Sequence, residues 1–169
     1  MKQLLLLLIL VLPALSAAAT DAGDNIPKAQ LNAVLSEFRQ YDGVEVVRLG
    51  SLATSALRGV VRLASKSDPD AREALALMRG IKRLNVLEYE DCTPEVRERI
   101  NQKLARILSD SELLMEAKDD SSRMRMFGVV DEKTGAVRDF VIHDPGSCAL
   151  ICIFGSIPME SLGKVMSHD

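Results

Sequence analysis

The run Cys148-Ala149-Leu150-Ile151-Cys152-Ile153-Phe154 constrains this chain more than any other segment. In an extended strand successive side chains point to opposite faces. Cys148, Leu150, Cys152 and Phe154 then share one face, and Ala149, Ile151 and Ile153 share the other. Both faces are apolar, so the strand belongs in the centre of a sheet or under cover on both sides. The rest of the chain has to supply that sheet and something to pack on it.

The preceding residues supply the strands. Glu112 to Lys118 and Arg123 to Val130 read as strands flanking the polar turn Asp119-Asp120-Ser121-Ser122. Asp131-Glu132-Lys133-Thr134-Gly135 reads as a hairpin loop, with a glycine free to take positive φ. Ala136 to His143 is the next strand, and Asp144-Pro145-Gly146 is the turn into the apolar run. These segments predict a C-terminal four-strand meander. Pro158 then predicts a short final helix carrying Met159, Leu162 and Val165.

Upstream the period changes to that of a helix. Pro27 opens one in which Leu31, Val34, Leu35 and Phe38 share a face, ended by Tyr41-Asp42-Gly43. Gly43 to Gly50 reads as a strand. Ser51 caps a second helix with Ala53, Ala56, Leu57, Val60, Val61 and Ala64 on its inward stripe. Asp68-Pro69 starts a third helix, with Ala71, Ala74, Leu75 and Met78 inward and Gly80 at its end. Ile81 to Glu90 is a strand, and Thr93-Pro94 starts a helix whose Val96, Ile100, Leu104 and Ile107 form one apolar face. The predicted order is α-β-α-α-β-α-β-β-β-β-α. This is an α+β fold, with helices packed on an antiparallel or mixed β-sheet, in one domain over residues 28–169 behind a flexible segment at 20–27.

The first residues belong to no fold. Lys2 is followed by the apolar run Leu4 to Leu12, then Pro13 and the small residues Ser16-Ala17-Ala18-Ala19. A charged start, a short apolar core and an Ala-x-Ala site describe a cleavable signal peptide over residues 1–19. The run is about half of the ~20 residues that a transmembrane helix needs. The expected location is therefore periplasmic or secreted, with no transmembrane segment in the mature chain.

Composition removes other classes. The 169 residues carry a net charge of -3, with aromatics at 4% and no Trp. A slightly acidic chain lacking aromatic platforms is a poor match to nucleic acid or to anionic membrane surfaces.

Reactive side chains are few. There are two histidines, His143 before a turn and His168 near the end, and neither stands in a zinc-binding spacing. No Gly-x-Ser-x-Gly elbow and no phosphate loop occurs. His143, Asp144 and Cys148 can be imagined as a cysteine-nucleophile site, but Cys148 falls at the start of a buried strand, where a thiol is inert. Glu88 and Glu90 alternate onto one strand face, which reads as solvated. Asp119-Asp120 and Asp131-Glu132 read as soluble turns. On the Thr93 helix Arg97, Arg99, Lys103 and Arg106 alternate with Glu95 and Glu98 as a salt-laced outer face. Met115, Met124 and Met126 lie in adjacent strands and read as core, with an adaptable apolar groove as the alternative. No catalytic, cofactor-binding or metal-binding residue is assigned.

The three cysteines, Cys92, Cys148 and Cys152, are an odd number for an oxidising compartment. Cys148 and Cys152 lie about 13 Å apart along a regular strand, beyond the ~7 Å reach of a disulfide. Cys92 with either of them stays open, and buried thiols are the simpler expectation.

One resemblance covers most of the chain. It is carried by Gly80-Ile81-Lys82-Arg83-Leu84, by Glu112-Leu113-Leu114-Met115, and by Asp139-Phe140-Val141-Ile142 ahead of Ala149 to Phe154-Gly155-Ser156-Ile157. Over residues 28–167 this pattern resembles the exported bacterial proteins grouped as domain of unknown function 4252. The resemblance implies a Gram-negative envelope setting and transfers no functional residues. Some such proteins carry a lipid-anchoring cysteine behind the signal, which this chain lacks. The function expected is a non-catalytic exported protein that binds another envelope component. The alternatives are a small enzyme using Cys92 or His143, and a small-molecule carrier using the methionine-lined face.

Overall fold

A computed structural model describes residues 26–64, 78, 80–118 and 123–158. The expected signal peptide, most of the helix expected to begin at Asp68-Pro69, and the expected final helix lie outside the described residues. Among the described residues nine elements follow in order: α1 (Lys28–Phe38), β1 (Glu45–Leu49), α2 (Ser51–Ala64), β2 (Ile81–Glu88), α3 (Pro94–Ile107), β3 (Leu113–Lys118), β4 (Arg123–Asp131), β5 (Ala136–Asp144) and β6 (Ala149–Pro158).

The six strands form one sheet in the order β1-β2-β6-β5-β4-β3. Every pairing is antiparallel, which settles the choice between antiparallel and mixed. The meander β3-β4-β5-β6 is present, and β6 is an interior strand, as its two apolar faces require. The antiparallel pair β1-β2, with α2 between its strands in sequence, adds through β2 to the free side of β6. The connection through α3 then carries the chain back across one face to β3.

That face holds the core. Leu31, Val34, Leu35 and Phe38 of α1 are all at most 1% exposed, and Ile100 and Leu104 of α3 are 0%. They pack on Leu87, Phe127, Val129, Val141, Leu150, Cys152 and Phe154 from the sheet. Ser51, expected to cap α2, is instead its first helical residue, whereas the start of α3 follows its sequence signal. Thr93 Oγ1 accepts the Val96 N–H, and Pro94 takes the first position, where no amide donor is needed. Ile26 is also buried in this core. Glu37 of α1 pairs with Lys103 and lies 4.0 Å from Arg99, so basic residues of α3 meet α1 rather than their own acidic neighbours.

The opposite sheet face is apolar as well. Leu84 opposes Ile153, Ile153 opposes Phe140, Ile142 opposes Ile151 and Met126, and Met126 opposes Met115. The methionines singled out in the sequence therefore share one face, across from the side of Phe127.

Several local expectations change. Ala53 and Ala56 of α2 are exposed, while Thr54 is buried. Its Oγ1 lies 3.1 Å from Gly50 O and 3.3 Å from Lys82 O, so a hydroxyl ties α2 to β2. β2 ends at Glu88, which separates Glu88 from Glu90 and removes their shared strand face. Pro158 is the last residue of β6. Among the described residues the last two pairs of the strand, Ile157 with Val137 and Pro158 with Ala136, are with β5 alone, a setting that tolerates proline. Cys148 does not start the strand: it sits in the β5–β6 turn at φ 50°.

Candidate functional site

The polar interior gathers at the β5–β6 turn end of the sheet. The Tyr89 N–H donates to Cys148 O at 3.0 Å, extending the β2–β6 ladder by one bond. Tyr89 has the strand parity of Leu87, so its ring turns into the core, where it is 0% exposed. Its hydroxyl donates to Asn101 Oδ1 on α3 at 2.6 Å and lies 3.4 Å from His143 Nε2 on β5. His143 is fully buried and directly opposes Arg125 of β4 and Leu150 of β6. Arg97 sits one turn before Asn101 on α3, and its Nη2 donates to Glu90 O at 2.5 Å. A row Tyr89–His143–Arg125 thus crosses the sheet, and α3 adds Asn101 and Arg97 beside Tyr89.

Burial sets the electrostatics of this cluster. It pushes the imidazole of His143 down to about 4, helped by the Arg125 guanidinium and opposed by Asp144. His143 is therefore neutral at pH 7, with one donor and one acceptor nitrogen. Since the Tyr89 proton goes to Asn101, the tautomer carrying its proton on Nε2 makes the 3.4 Å approach attractive. Burial, then Cys148 and Asp144, raise the Tyr89 hydroxyl well above the usual phenol range. Three buried side-chain nitrogens here have no hydrogen-bond partner: Arg97 Nε, Arg125 Nε and His143 Nδ1.

The cysteines divide into two groups. The Cys92 thiol donates to Tyr89 O at 3.0 Å, and the Cys148 thiol lies 3.6 Å from Pro145 O. Both sit around Tyr89. Cys152 lies within β6, opposite Val141 and Asn85, with its thiol pushed up to about 12 by burial. All three are buried and unlinked. The imagined pairing of His143 with a cysteine is not formed: His143 approaches the Tyr89 hydroxyl, and Cys92 approaches the Tyr89 backbone.

Other sequence features are placed plainly. Asp131 Oδ1 accepts the N–H groups of Lys133 and Thr134 at 3.1 Å, and these hold its carboxyl below the usual range. Its role is to fix the β4–β5 turn. An open groove of about 450 Å³ is lined by Arg39, Gln40, Val46 and Arg48. Arg48 is already engaged there, donating to Ser36 Oγ at 2.9 Å. Among the described residues no group of three or more His, Cys, Asp or Glu side chains could hold a metal ion. No helix among them is long and apolar enough to cross a membrane.

Tyr89, Asn101 and Arg125 were not assigned any role from the sequence. The signal available for Tyr89 was its parity with Leu87, which places a phenol on the core side of β2.

The family model described as Domain of unknown function (DUF4252) matches residues 38–165. The chain belongs to the DUF4252 family. No curated protein and no solved structure matches it. In this DUF4252 chain the matched span runs from the last residue of α1 past the end of β6, and so contains the whole Tyr89 cluster. It also contains Asp139 and Gly155, from the segments that carried the resemblance. Asp139, at φ 55°, accepts the Gly155 N–H on Oδ1 at 3.3 Å and pairs with Lys28 through Oδ2 at 2.6 Å. Those motif residues build the β5–β6 irregularity and dock α1 on it.

Proposed function

We propose that this protein is an exported, non-catalytic envelope protein that binds another envelope component along the β1 edge of its sheet. The observation that carries the reading is the side-chain distribution at that edge. Leu52, in the first turn of α2, is 87% exposed, and Val47 of the edge strand β1 is 48% exposed. Among the described residues β1 terminates the sheet, and an edge strand presents backbone donors and acceptors to which an extended segment of a partner can add. Two exposed apolar side chains beside such an edge provide the anchors that backbone pairing alone lacks.

The chemistry of the interior supports the non-catalytic part. Burial moves the protonation of His143, Tyr89 and Cys152 away from neutral pH, and the thiol of Cys92 is spent on a backbone carbonyl. A general base acts best with its pKa near the working pH. Export is supported by the charged start, the short apolar run and the Ala-x-Ala segment at residues 1–19.

The test is co-purification from the host envelope with wild type and with the double variant Val47→Ser, Leu52→Ser. One envelope protein retained by wild type and lost with the variant is the expected result. Turnover of a defined substrate by the purified protein, abolished by His143→Ala or Cys92→Ser, contradicts the reading.

A further inference from the structure

We propose that Cys92 and Cys148 form a disulfide bond under oxidising conditions. The bond rests on the geometry around Tyr89, and its cellular setting rests on the export reading above.

Tyr89 and Cys148 are opposed one step beyond the last β2–β6 pair, Glu88 with Ala149. In a hydrogen-bonded antiparallel pair, the two residues exchange both N–H···O bonds and their Cα atoms lie about 5.5 Å apart. Here half of that exchange is made, the Tyr89 N–H to Cys148 O at 3.0 Å. Cys148, at φ 50°, instead turns its own N–H back to Pro145 O at 3.4 Å. The Tyr89 carbonyl is left for another donor, and the Cys92 thiol takes it at 3.0 Å. The Cys92 sulfur therefore occupies the place on Tyr89 that the Cys148 amide would fill in a regular ladder. Both cysteines belong to one core cluster, at 6% and 4% exposure.

The backbone of Cys148 adds a second argument. A turn residue at φ 50° favours glycine or asparagine, and a cysteine stands there against that preference. A thiol that bonds to Cys92 gives that residue a purpose. Cys152 fits no such arrangement, because β6 carries it four residues away, opposite Asn85.

Bond formation removes two protons and two electrons from the two thiols. A disulfide compound accepts them, through thiolate attack and a mixed intermediate, and its own S–S bond is cleaved to two thiols. Because both sulfurs are buried in the folded protein, the exchange takes place while the chain is still folding. The product ties the segment ahead of α3 to the β5–β6 turn, on either side of Tyr89.

The test uses peptide mapping without reductant on two samples. One is purified protein refolded in a glutathione redox buffer; the other is protein from the host envelope, alkylated at lysis. The expected result is a Cys92–Cys148 crosslinked peptide in both, retained in Cys152→Ser and lost in Cys92→Ser. Reduction should lower the wild-type melting temperature by on the order of 10 °C and leave that of Cys92→Ser unchanged. Free Cys92 and Cys148 after refolding, or Cys152 in the crosslink, overturns the proposal. A crosslink in buffer with free thiols in the host sample supports the bond and contradicts the export reading.

Discussion

The hydroxyl of Tyr89 stands 3.4 Å from His143 Nε2 and donates to Asn101 Oδ1 at 2.6 Å, joining β2, β5 and α3 at one point in the interior. Removing that hydroxyl leaves the shape of the ring but strips Asn101 of its donor. Tyr89→Phe should therefore lower stability by about 1–3 kcal/mol, the range for a buried polar group that loses its partner. Urea unfolding checks this, and an unchanged midpoint would mean that the network contributes nothing.

His143 makes stability depend on pH. Its folded value of about 4 lies below the ordinary 6.5. Between these values the unfolded chain takes up a proton that the folded chain refuses. The contribution is fully present above pH 6.5 and is lost as pH falls to about 4. Its full size is on the order of 3 kcal/mol. His143→Gln should flatten this part of the profile in urea titrations at pH 7 and pH 5. Parallel profiles for wild type and variant would refute the assignment.

Gly155 has φ 142°, and a Cβ on it would stand 2.1 Å from the Gly80 carbonyl oxygen. That oxygen accepts the Ser156 N–H at 3.0 Å, so backbone on both sides would have to shift. Gly155→Ala should destabilise by on the order of 3 kcal/mol. Thermal unfolding measures it, and a change under 1 kcal/mol would contradict the close approach.

Leu150 and Leu52 separate packing from binding. Leu150 is 0% exposed near the start of β6, so Leu150→Ala should lower stability by about 2.5–5 kcal/mol through lost burial and a cavity. Leu52 is 87% exposed, so Leu52→Ala should stay within about 0.5 kcal/mol while weakening partner capture. Denaturation of both variants, with co-purification for Leu52→Ala, tests the pair. A large stability loss for Leu52→Ala would show that it serves the fold.

Helix starts and strand parity were legible because they depend on near neighbours. Pro27, Thr93-Pro94 and the apolar stripe of α1 act within a few residues, and the two apolar faces of β6 already required a central strand. What the sequence hid depends on distant partners. Residues 54 apart bring Tyr89 to His143, and no local pattern encodes that distance. The extension of β6 through Gly155 to Pro158 needs the bulge at Asp139 opposite it, which only the pairing with β5 reveals. Cys148 read as strand because its left-handed turn position usually belongs to glycine or asparagine. Thr54 displaced Ala53 and Ala56 from the inward side of α2 because a hydroxyl could bond Lys82 O, a contact with a strand 28 residues on.

The most direct test of the central claim places a photo-crosslinking amino acid at position 52 in intact host cells, with a control at the exposed turn residue Glu132. The account predicts one reproducible envelope protein captured from position 52 and not from position 132. Capture that is absent at position 52, or equal at both positions, would contradict it.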